Sequence, residues 1–444
     1  MIIRSISGVR GITKTSLTPD VVKAYALAFD DILPKGLIYI GRDSRPSGEN
    51  ILELFSSELI DLGRDIVNCE VVPTPTVQFM VERSEAVGGL VVTASHNPEE
   101  WNGMKFIRQD GTFFLPDECE ILFKKIDSNT HPKKSTKKGM YLPDQNSILK
   151  HIIHIIELSC INLKRIKNKK YKVVIDCVNG AGSKALPLLL EYLGCEVTLI
   201  HCDGSGQFNR GTEPLPENLK DLRKQVLDNN ADIGFAVDPD ADRLAIVNNL
   251  GEPIGEEYTL VLAAEGYIKE LNCPQTIVTN LSTTIALDQM AHNYDSKVER
   301  TAVGEINVVK RMIEVDSNLG GEGNGGIILK EAHLGRDSLV GVAMILNRLS
   351  QDDNKTISEI HSTLPQYSIV KDKVDLKSID EIQIIDNAKE AFLGSSIDLT
   401  DGIKFMWPDR WIHLRKSNTE PIMRIYAEAP TVKDAQILIK RLKS

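Results

Sequence analysis

The chain reads as an α/β protein: three α/β domains with mixed, largely parallel sheets, followed by a C-terminal α+β domain. Three observations predict this. At 444 residues the chain exceeds what one hydrophobic core supports, and it should divide into about three or four domains. A strand–helix–strand pattern recurs three times, which is the signature of parallel strands joined by crossover helices. The last part of the chain instead shows successive short strands and a closing helix.

In the first copy, Leu37-Ile38-Tyr39-Ile40 is a strand, Asn50 to Leu62 a helix, Gly63 its terminator, and Ile66 to Val72 the next strand. Glycine suits the position after a helix because a left-handed backbone costs it no Cβ clash. The second copy runs from Tyr171-Lys172-Val173-Val174-Ile175 through a helix near Leu186–Leu193, ended by Gly194, to Glu196-Val197-Thr198-Leu199-Ile200. The third runs from Thr276-Ile277-Val278-Thr279 through Thr284–His292 to Val298. Apolar runs rich in β-branched residues are the strand signal in each. Downstream, Ile403–Trp407, Trp411–Arg415 and Met423–Glu428 read as short strands, and Val432 to Leu442 as a helix. These elements predict domains at 1–145, 146–250, 251–362 and 363–444. The Lys-rich stretches His131–Lys138 and Asn168–Lys170 read as a surface excursion and the edge of an interdomain connection.

Composition narrows the class. Hydrophobic content of 42% and charged content of 26% are ordinary for a globular protein. A net charge of −10 argues against a broad face that neutralises nucleic-acid phosphates. Positive charge needed for a phosphorylated substrate must therefore be concentrated locally. No apolar run approaches the ~18 residues of a membrane span, and the start, Met1-Ile2-Ile3-Arg4-Ser5-Ile6, lacks the pattern of a signal peptide. Seven scattered cysteines without a Cys-x-x-Cys pair fit reduced thiols in the cytoplasm.

The segment Asp238-Pro239-Asp240-Ala241-Asp242-Arg243 directly follows the apolar strand Ile233–Val237. Three carboxylates at alternate positions past a strand end suit a hard cation such as Mg²⁺, which in enzymes usually serves phosphate chemistry. An EF-hand is excluded, because its glycine and glutamate positions hold Arg243 and Asn249. An aspartyl phosphatase of the haloacid dehalogenase type and a solvated acidic turn stay open.

Three further segments carry chemistry. Thr93-Ala94-Ser95-His96-Asn97-Pro98 places a serine just beyond a strand, but no Gly-x-Ser-x-Gly elbow surrounds it, and a turn serine bonding its own backbone is the plain alternative. Lys105 follows ten positions later. Arg415-Lys416-Ser417-Asn418-Thr419, with Arg424, brackets hydroxyl and amide donors between arginines, a set suited to a phosphate dianion. Gly320-Gly321-Glu322-Gly323-Asn324-Gly325-Gly326 lacks the Lys or Ser/Thr of a phosphate loop, so Glu322 and Asn324 on a close-approach backbone suit sugar hydroxyls better; a flexible hairpin tip is the alternative. By contrast, Gly180-Ala181-Gly182-Ser183-Lys184-Ala185 with Asp203 only imitates a dinucleotide fingerprint, because Asp176 to Asn179 separate it from its strand.

Together these segments resemble the α-D-phosphohexomutase family, in order and over essentially the whole chain. Ser7-Gly8-Val9-Arg10-Gly11 is similar to that family's N-terminal Arg-Gly segment. The resemblance implies four domains around a central active-site cleft, and interconversion of 6-phospho and 1-phospho sugars through a phosphoserine and a 1,6-bisphosphate intermediate. It implies that Ser95 carries the phosphoryl group, with His96, Lys105, Arg10 and Arg243 in the catalytic set. Ser95, Asp238, Asp240 and Asp242 would hold one Mg²⁺. Glu322 and Asn324 would grip the sugar, and Arg415, Ser417, Asn418, Thr419 and Arg424 the fixed phosphate. A sugar 1,6-bisphosphate would prime the enzyme.

The chain also departs from the family pattern. Many relatives carry Ser where Asn324 stands, His where Gly326 stands, and another His where this chain has Glu305. Acid/base duty then falls to Lys105, with His333 either a substitute or a structural residue. Chain length, the Gly-and-Asn sugar loop and Val303-Gly304-Glu305 look most like phosphoglucosamine mutases. Phosphomannomutase/phosphoglucomutase relatives share every catalytic motif, and a Mg-dependent aspartyl phosphatase using Asp238 is a more distant alternative. The expected partner is a phosphosugar, without nucleic acid or membrane, for a cytoplasmic monomer or homodimer.

Overall fold

The computed structural model describes residues 2–6, 8–128, 135–376, 381–417 and 422–443. Four sheets follow one another along the chain. The first has seven strands, in the order Ile3–Ser5, Gly8–Ile12, Trp101–Arg108, Gly88–Val92, Ile38–Arg42, Ile66–Val71 and Tyr141–Pro143. The last four of these pair in parallel and the others antiparallel. The second sheet runs Leu244–Asn248, Ile233–Val237, Lys172–Asp176, Glu196–Ile200, with only the first pair antiparallel. The third runs Lys297–Thr301, Thr276–Asn280, Leu319–Glu322, Gly326–Leu329, with only the last pair antiparallel.

The fourth sheet is antiparallel throughout. Its order is Ser368–Asp375, Ile422–Ala429, Arg410–Lys416, Ile403–Trp407, Ser396–Asp398. The helices Glu381–Ala391 and Val432–Lys443 pack on it around Phe392, Phe405 and Ile425. The three α/β units and the sheet-rich α+β unit are thus those the sequence predicts.

Packing differs from an expectation of one separate core per unit. A single apolar cluster runs from Tyr39 and Val77 through Ile152, Leu189 and Phe235 to Ile327 and Leu346. Its centre is the helix Ser338–Ser350, buried at every residue because it is apolar nearly all round. Asp337 caps that helix, its Oδ1 accepting from the backbone N–H groups of Leu339 (2.7 Å) and Val340 (3.3 Å). The first three units therefore share one apolar core.

The helix expected near Leu186–Leu193 spans Gly182–Tyr192 instead. Its glycine-rich first turn disguised the start, and that turn braces a neighbouring loop. The Ala181 N–H donates to Pro239 O at 2.8 Å, and a Cβ on Gly180 would lie 2.6 Å from the same oxygen. The apparent dinucleotide fingerprint is a support for the Asp238–Asp242 loop. None of the seven cysteines is in a disulfide, and no helix among the described residues is long and apolar enough to cross a membrane.

Candidate active site

Strands that end buried and in parallel array deliver their following loops to one crevice. Gly88–Val92 delivers Ser95, Ile233–Val237 delivers the three aspartates, and Leu319–Glu322 ends on Glu322. They converge on a cleft of about 580 Å³ lined by Arg10, Ser95, Arg243, Glu322, Arg415 and Arg424, among others.

Ser95 is buried and holds a left-handed backbone (φ 50°). A non-glycine residue there is strained unless its surroundings fix it. Two residues do so. Thr93 Oγ1 accepts the Ser95 N–H at 2.8 Å, and Arg45 Nη2 donates to the Ser95 carbonyl at 2.8 Å. Arg45 is itself paired with Asp43, which also accepts from Thr93 Oγ1 at 2.6 Å. Nothing in the sequence reading singled out Arg45. The available signal was its place just after the parallel strand Ile38–Arg42, another carboxyl end facing the same crevice.

Ser95 Oγ lies 3.4 Å from Asp238 Oδ2 and 3.4 Å from His96 Nδ1. The three aspartates are fully buried, with a carboxylate oxygen of each within 4.8 Å of the others. Their oxygens divide by task. Asp240 Oδ2 accepts from Lys105 Nζ (2.7 Å) and Thr74 Oγ1 (2.8 Å). Asp242 Oδ2 accepts from Arg336 Nη2 (2.6 Å) and Lys105 Nζ (3.4 Å). Asp238 Oδ1 accepts the backbone N–H groups of Asp242 and Arg243. Asp240 Oδ1 and Asp242 Oδ1 are buried with no hydrogen-bond partner among the described residues. Orphaned buried carboxylate oxygens beside a serine hydroxyl fit a small hard cation.

The protonation directions agree with that shortage of positive charge. Burial, then the charges of Asp242 and Asp240, pushes Asp238 well above the usual carboxylate range. Burial acts the same way on Asp240 and Asp242, but the combined pull of Lys105 and Thr74 at Asp240, and of Arg336, Lys105 and Arg243 at Asp242, holds both below that range. Lys105 is kept protonated despite burial by Asp240 and Asp242. His96 is pushed down by burial and by Arg243 and Arg10, so its ring is neutral, with Nδ1 placed 3.2 Å from the Arg243 guanidinium. Arg243 is steadied by Glu213 at 3.1 Å, and Arg10 reaches Asn97 Oδ1 at 2.9 Å.

The sugar-loop residues stand on a tight hairpin between Leu319–Glu322 and Gly326–Leu329. Gly325 has φ +84°, and a Cβ there would meet Leu244 O at 2.2 Å, so only glycine fits. Glu322 is held by Asn280 Nδ2 (2.8 Å), the Gly304 N–H (3.1 Å) and Arg336 Nη1 (3.1 Å), and Asn324 Nδ2 lies 3.3 Å from it. Arg336, also missed in the sequence, ties this loop to the aspartate loop.

Arg415, Ser417 and Arg424 also line the cleft. Asn418 and Thr419 lie outside the described residues, as does Ser7 of the N-terminal motif. The strand sheet carrying these residues is docked on the third unit by Lys404 Nζ donating to Leu281 O (2.5 Å) and by His413 Nδ1 at Ser282 Oγ (3.0 Å). For His333 the structure favours the second of the two readings left open. The ring lies buried 3.1 Å from Asp337 Oδ2, edge-on to His151, and does not line the cleft. Its place at the junction of the scaffold makes it structural.

Comparison with known proteins decides the family. Models of phosphoglucomutase/phosphomannomutase α/β/α domains I, II and III match residues 2–133, 149–251 and 255–367. The chain belongs to the α-D-phosphohexomutase family. It is 35% identical to a phosphoglucomutase/phosphomannomutase of Thermococcus kodakarensis, over 97% of this chain and 95% of that protein. It is 32% identical to a phosphoglucosamine/phosphogalactosamine mutase of Sulfurisphaera tokodaii, over 98% and 97%. A solved phosphoglucomutase/phosphomannomutase family protein from Burkholderia thailandensis superposes with a TM-score of 0.86 at 25% identity, covering 100% of this chain and 97% of that one. This phosphohexomutase is accordingly an isomerase that works by intramolecular phosphoryl transfer.

Proposed function

We propose that this phosphohexomutase interconverts glucosamine 6-phosphate and glucosamine 1-phosphate, with Ser95 as the phosphoryl carrier. The observation that carries the phosphoserine is the placement of Ser95 Oγ against Asp238, beside two buried aspartate oxygens that accept no hydrogen bond among the described residues. The amino sugar is supported by relatives named for phosphoglucosamine at about a third identity over nearly the whole chain. Glucose and mannose phosphates are the second reading, supported by the Thermococcus relative's name.

Phosphoryl transfer needs in-line positioning and charge stabilisation more than covalent help. A phosphoserine brings roughly −1.5 to −2 charge at neutral pH. Asp238 Oδ2, Asp240 Oδ1 and Asp242 Oδ1, with an oxygen on Ser95, are the ligands assigned to one Mg²⁺. When bound, that ion supplies charge neutralisation to the phosphoryl oxygens. The sugar hydroxyl attacks the phosphorus of phosphoserine 95, the bond to Oγ breaks, Oγ takes up a proton, and the proton that the hydroxyl loses returns to the donor. Lys105, held as a cation, is the assigned donor; Arg10 and Arg243 compensate charge and neutral His96 orients the Arg243 guanidinium.

The resulting 1,6-bisphosphate turns end over end so that its other phosphate meets Ser95. Arg415, Ser417 and Arg424, with Asn418 and Thr419, form the fixed site for the phosphate that is not reacting. Glu322 and Asn324 grip C3 and C4 hydroxyls, which lie nearest the turning axis. Such a bisphosphate also primes Ser95. The test is kcat/KM for glucosamine 6-phosphate against mannose 6-phosphate and glucose 6-phosphate, with Mg²⁺ and a bisphosphate primer. A preference of tenfold or more for the amino sugar supports the reading; equal or reversed rates make the chain a general hexose phosphomutase.

A further inference from the structure

Arg336 shares one guanidinium among three carboxylates. Nη2 is 2.6 Å from Asp242 Oδ2, Nη1 is 3.1 Å from Glu322 Oε2, and Nε is 2.9 Å from Glu305 Oε2. Glu322 has neutral donors besides, from Asn280 and the Gly304 N–H. Among the described residues Glu305 is hydrogen-bonded by Arg336, through Nε at 2.9 Å and through the backbone N–H at 3.3 Å. Both glutamates line the cleft, and both are about nine-tenths buried or more.

Charge at this wall does not balance. Lys105 is committed to Asp240 and Asp242. Arg336 also serves Asp242, and even counting all of it toward the wall leaves one guanidinium between two largely buried carboxylates. Such a surplus disfavours a neutral ligand and favours one that brings its own cation. Burial and the neighbouring Asp242 and Glu322 push the Glu305 carboxyl upward against the pull of Arg336 and Lys105, so a further cation there relieves a real opposition.

Position then says which cation. Glu305 adjoins Gly304, whose N–H is bonded to Glu322, and Arg336 pairs with both carboxylates, so the two stand side by side in the cleft wall. Where Glu322 grips the C3 and C4 hydroxyls, its neighbour reaches the adjacent ring carbon. We infer that Glu305 reads the substituent at C2, accepting hydrogen bonds from the ammonium group of a 2-amino-2-deoxyhexose phosphate. This rests on the proposed amino-sugar function and gives it a residue. Because the ring turns over between half-reactions, C2 meets Glu305 in one orientation only, and the other orientation presents C5.

The test compares wild type, Glu305→Gln and Glu305→Asp, each checked for an unchanged thermal melt. Gln keeps the hydrogen bond to Arg336 but removes the charge, whereas Asp keeps the charge. The ratio of kcat/KM for glucosamine 6-phosphate to that for glucose 6-phosphate is expected to fall at least tenfold in Glu305→Gln. It should recover in part in Glu305→Asp. The ratio of the two dissociation constants by calorimetry should move in parallel. Equal losses for both sugars, or an unchanged ratio, overturn the assignment of Glu305. A wild type with no amino-sugar preference instead overturns the proposed function itself, so the two failures are distinguishable.

Discussion

Ser95 Oγ and Asp238 Oδ2 lie 3.4 Å apart although 143 positions separate them in the chain. They meet because each follows a buried strand whose carboxyl end opens on the same cleft. If Ser95 is the carrier, Ser95→Ala should lower mutase kcat by roughly a thousandfold or more. The dissociation constant for the sugar phosphate should change less than tenfold. Calorimetry beside a coupled assay separates the two.

Arg45 pairs with Asp43 in complete burial and holds the Ser95 carbonyl. Arg45→Ala leaves Asp43 as an uncompensated buried charge, a loss of about 3–5 kcal/mol. Denaturant unfolding should register it. Arg45→Lys, which keeps the charge but not the fork, should lower kcat more than it raises KM, because the left-handed Ser95 backbone loses its support.

The Asp238–Asp240–Asp242 cluster is a repulsive set without an added cation. Chelation should abolish turnover, and Mg²⁺ should restore it. Saturating Mg²⁺ at about 100 times its dissociation constant should stabilise the fold by ~2.7 kcal/mol, read as a higher melting temperature. Asp240→Asn should remove most of that shift.

Much of this was legible in the sequence, and the limits are physical. Ile233–Val237 was readable because a strand buried on both faces is a continuous apolar run, and the residues after it are contiguous. Glu322 and Asn324 were readable for the same reason, on one hairpin. Arg45, Glu213 and Arg336 were not, since each reaches the site residues from its own loop and only tertiary packing brings them together. The edge strand Tyr141–Pro143 is exposed at all three residues, so it carries no apolar pattern. The cluster joining three units was hidden too, because apolar runs do not say which neighbour they pack on.

His413 bridges the third and fourth units, with Nε2 2.6 Å from Asp401 O and Nδ1 at Ser282. Burial pushes its pKa down to about 4 from an ordinary 6.5. The unfolded chain therefore binds a proton that the folded one refuses between those values. The stability contribution is complete above pH 6.5 and declines as pH falls toward 4, by up to about 1.4 kcal/mol per pH unit. Thermal unfolding of wild type against His413→Gln from pH 7 to 4 should show a shallower acid limb in the variant.

Arg415 lines the same cleft as Ser95 and is 3.6 Å from Asp401 Oδ2. Removing a charged phosphate donor costs about 1.5–3 kcal/mol. Arg415→Ala should thus raise KM roughly ten- to hundredfold, with a smaller change in kcat. An unchanged KM would place the fixed phosphate elsewhere.

The most direct test of the central claim is to locate the phosphoryl group. The protein is incubated with glucose 1,6-bisphosphate and Mg²⁺, quenched, digested and mapped by mass spectrometry. The account predicts one phosphoryl group per chain, stable to hydroxylamine, on the peptide containing Ser95. A hydroxylamine-labile phosphoryl group on the peptide containing Asp238, or none on Ser95, would contradict it.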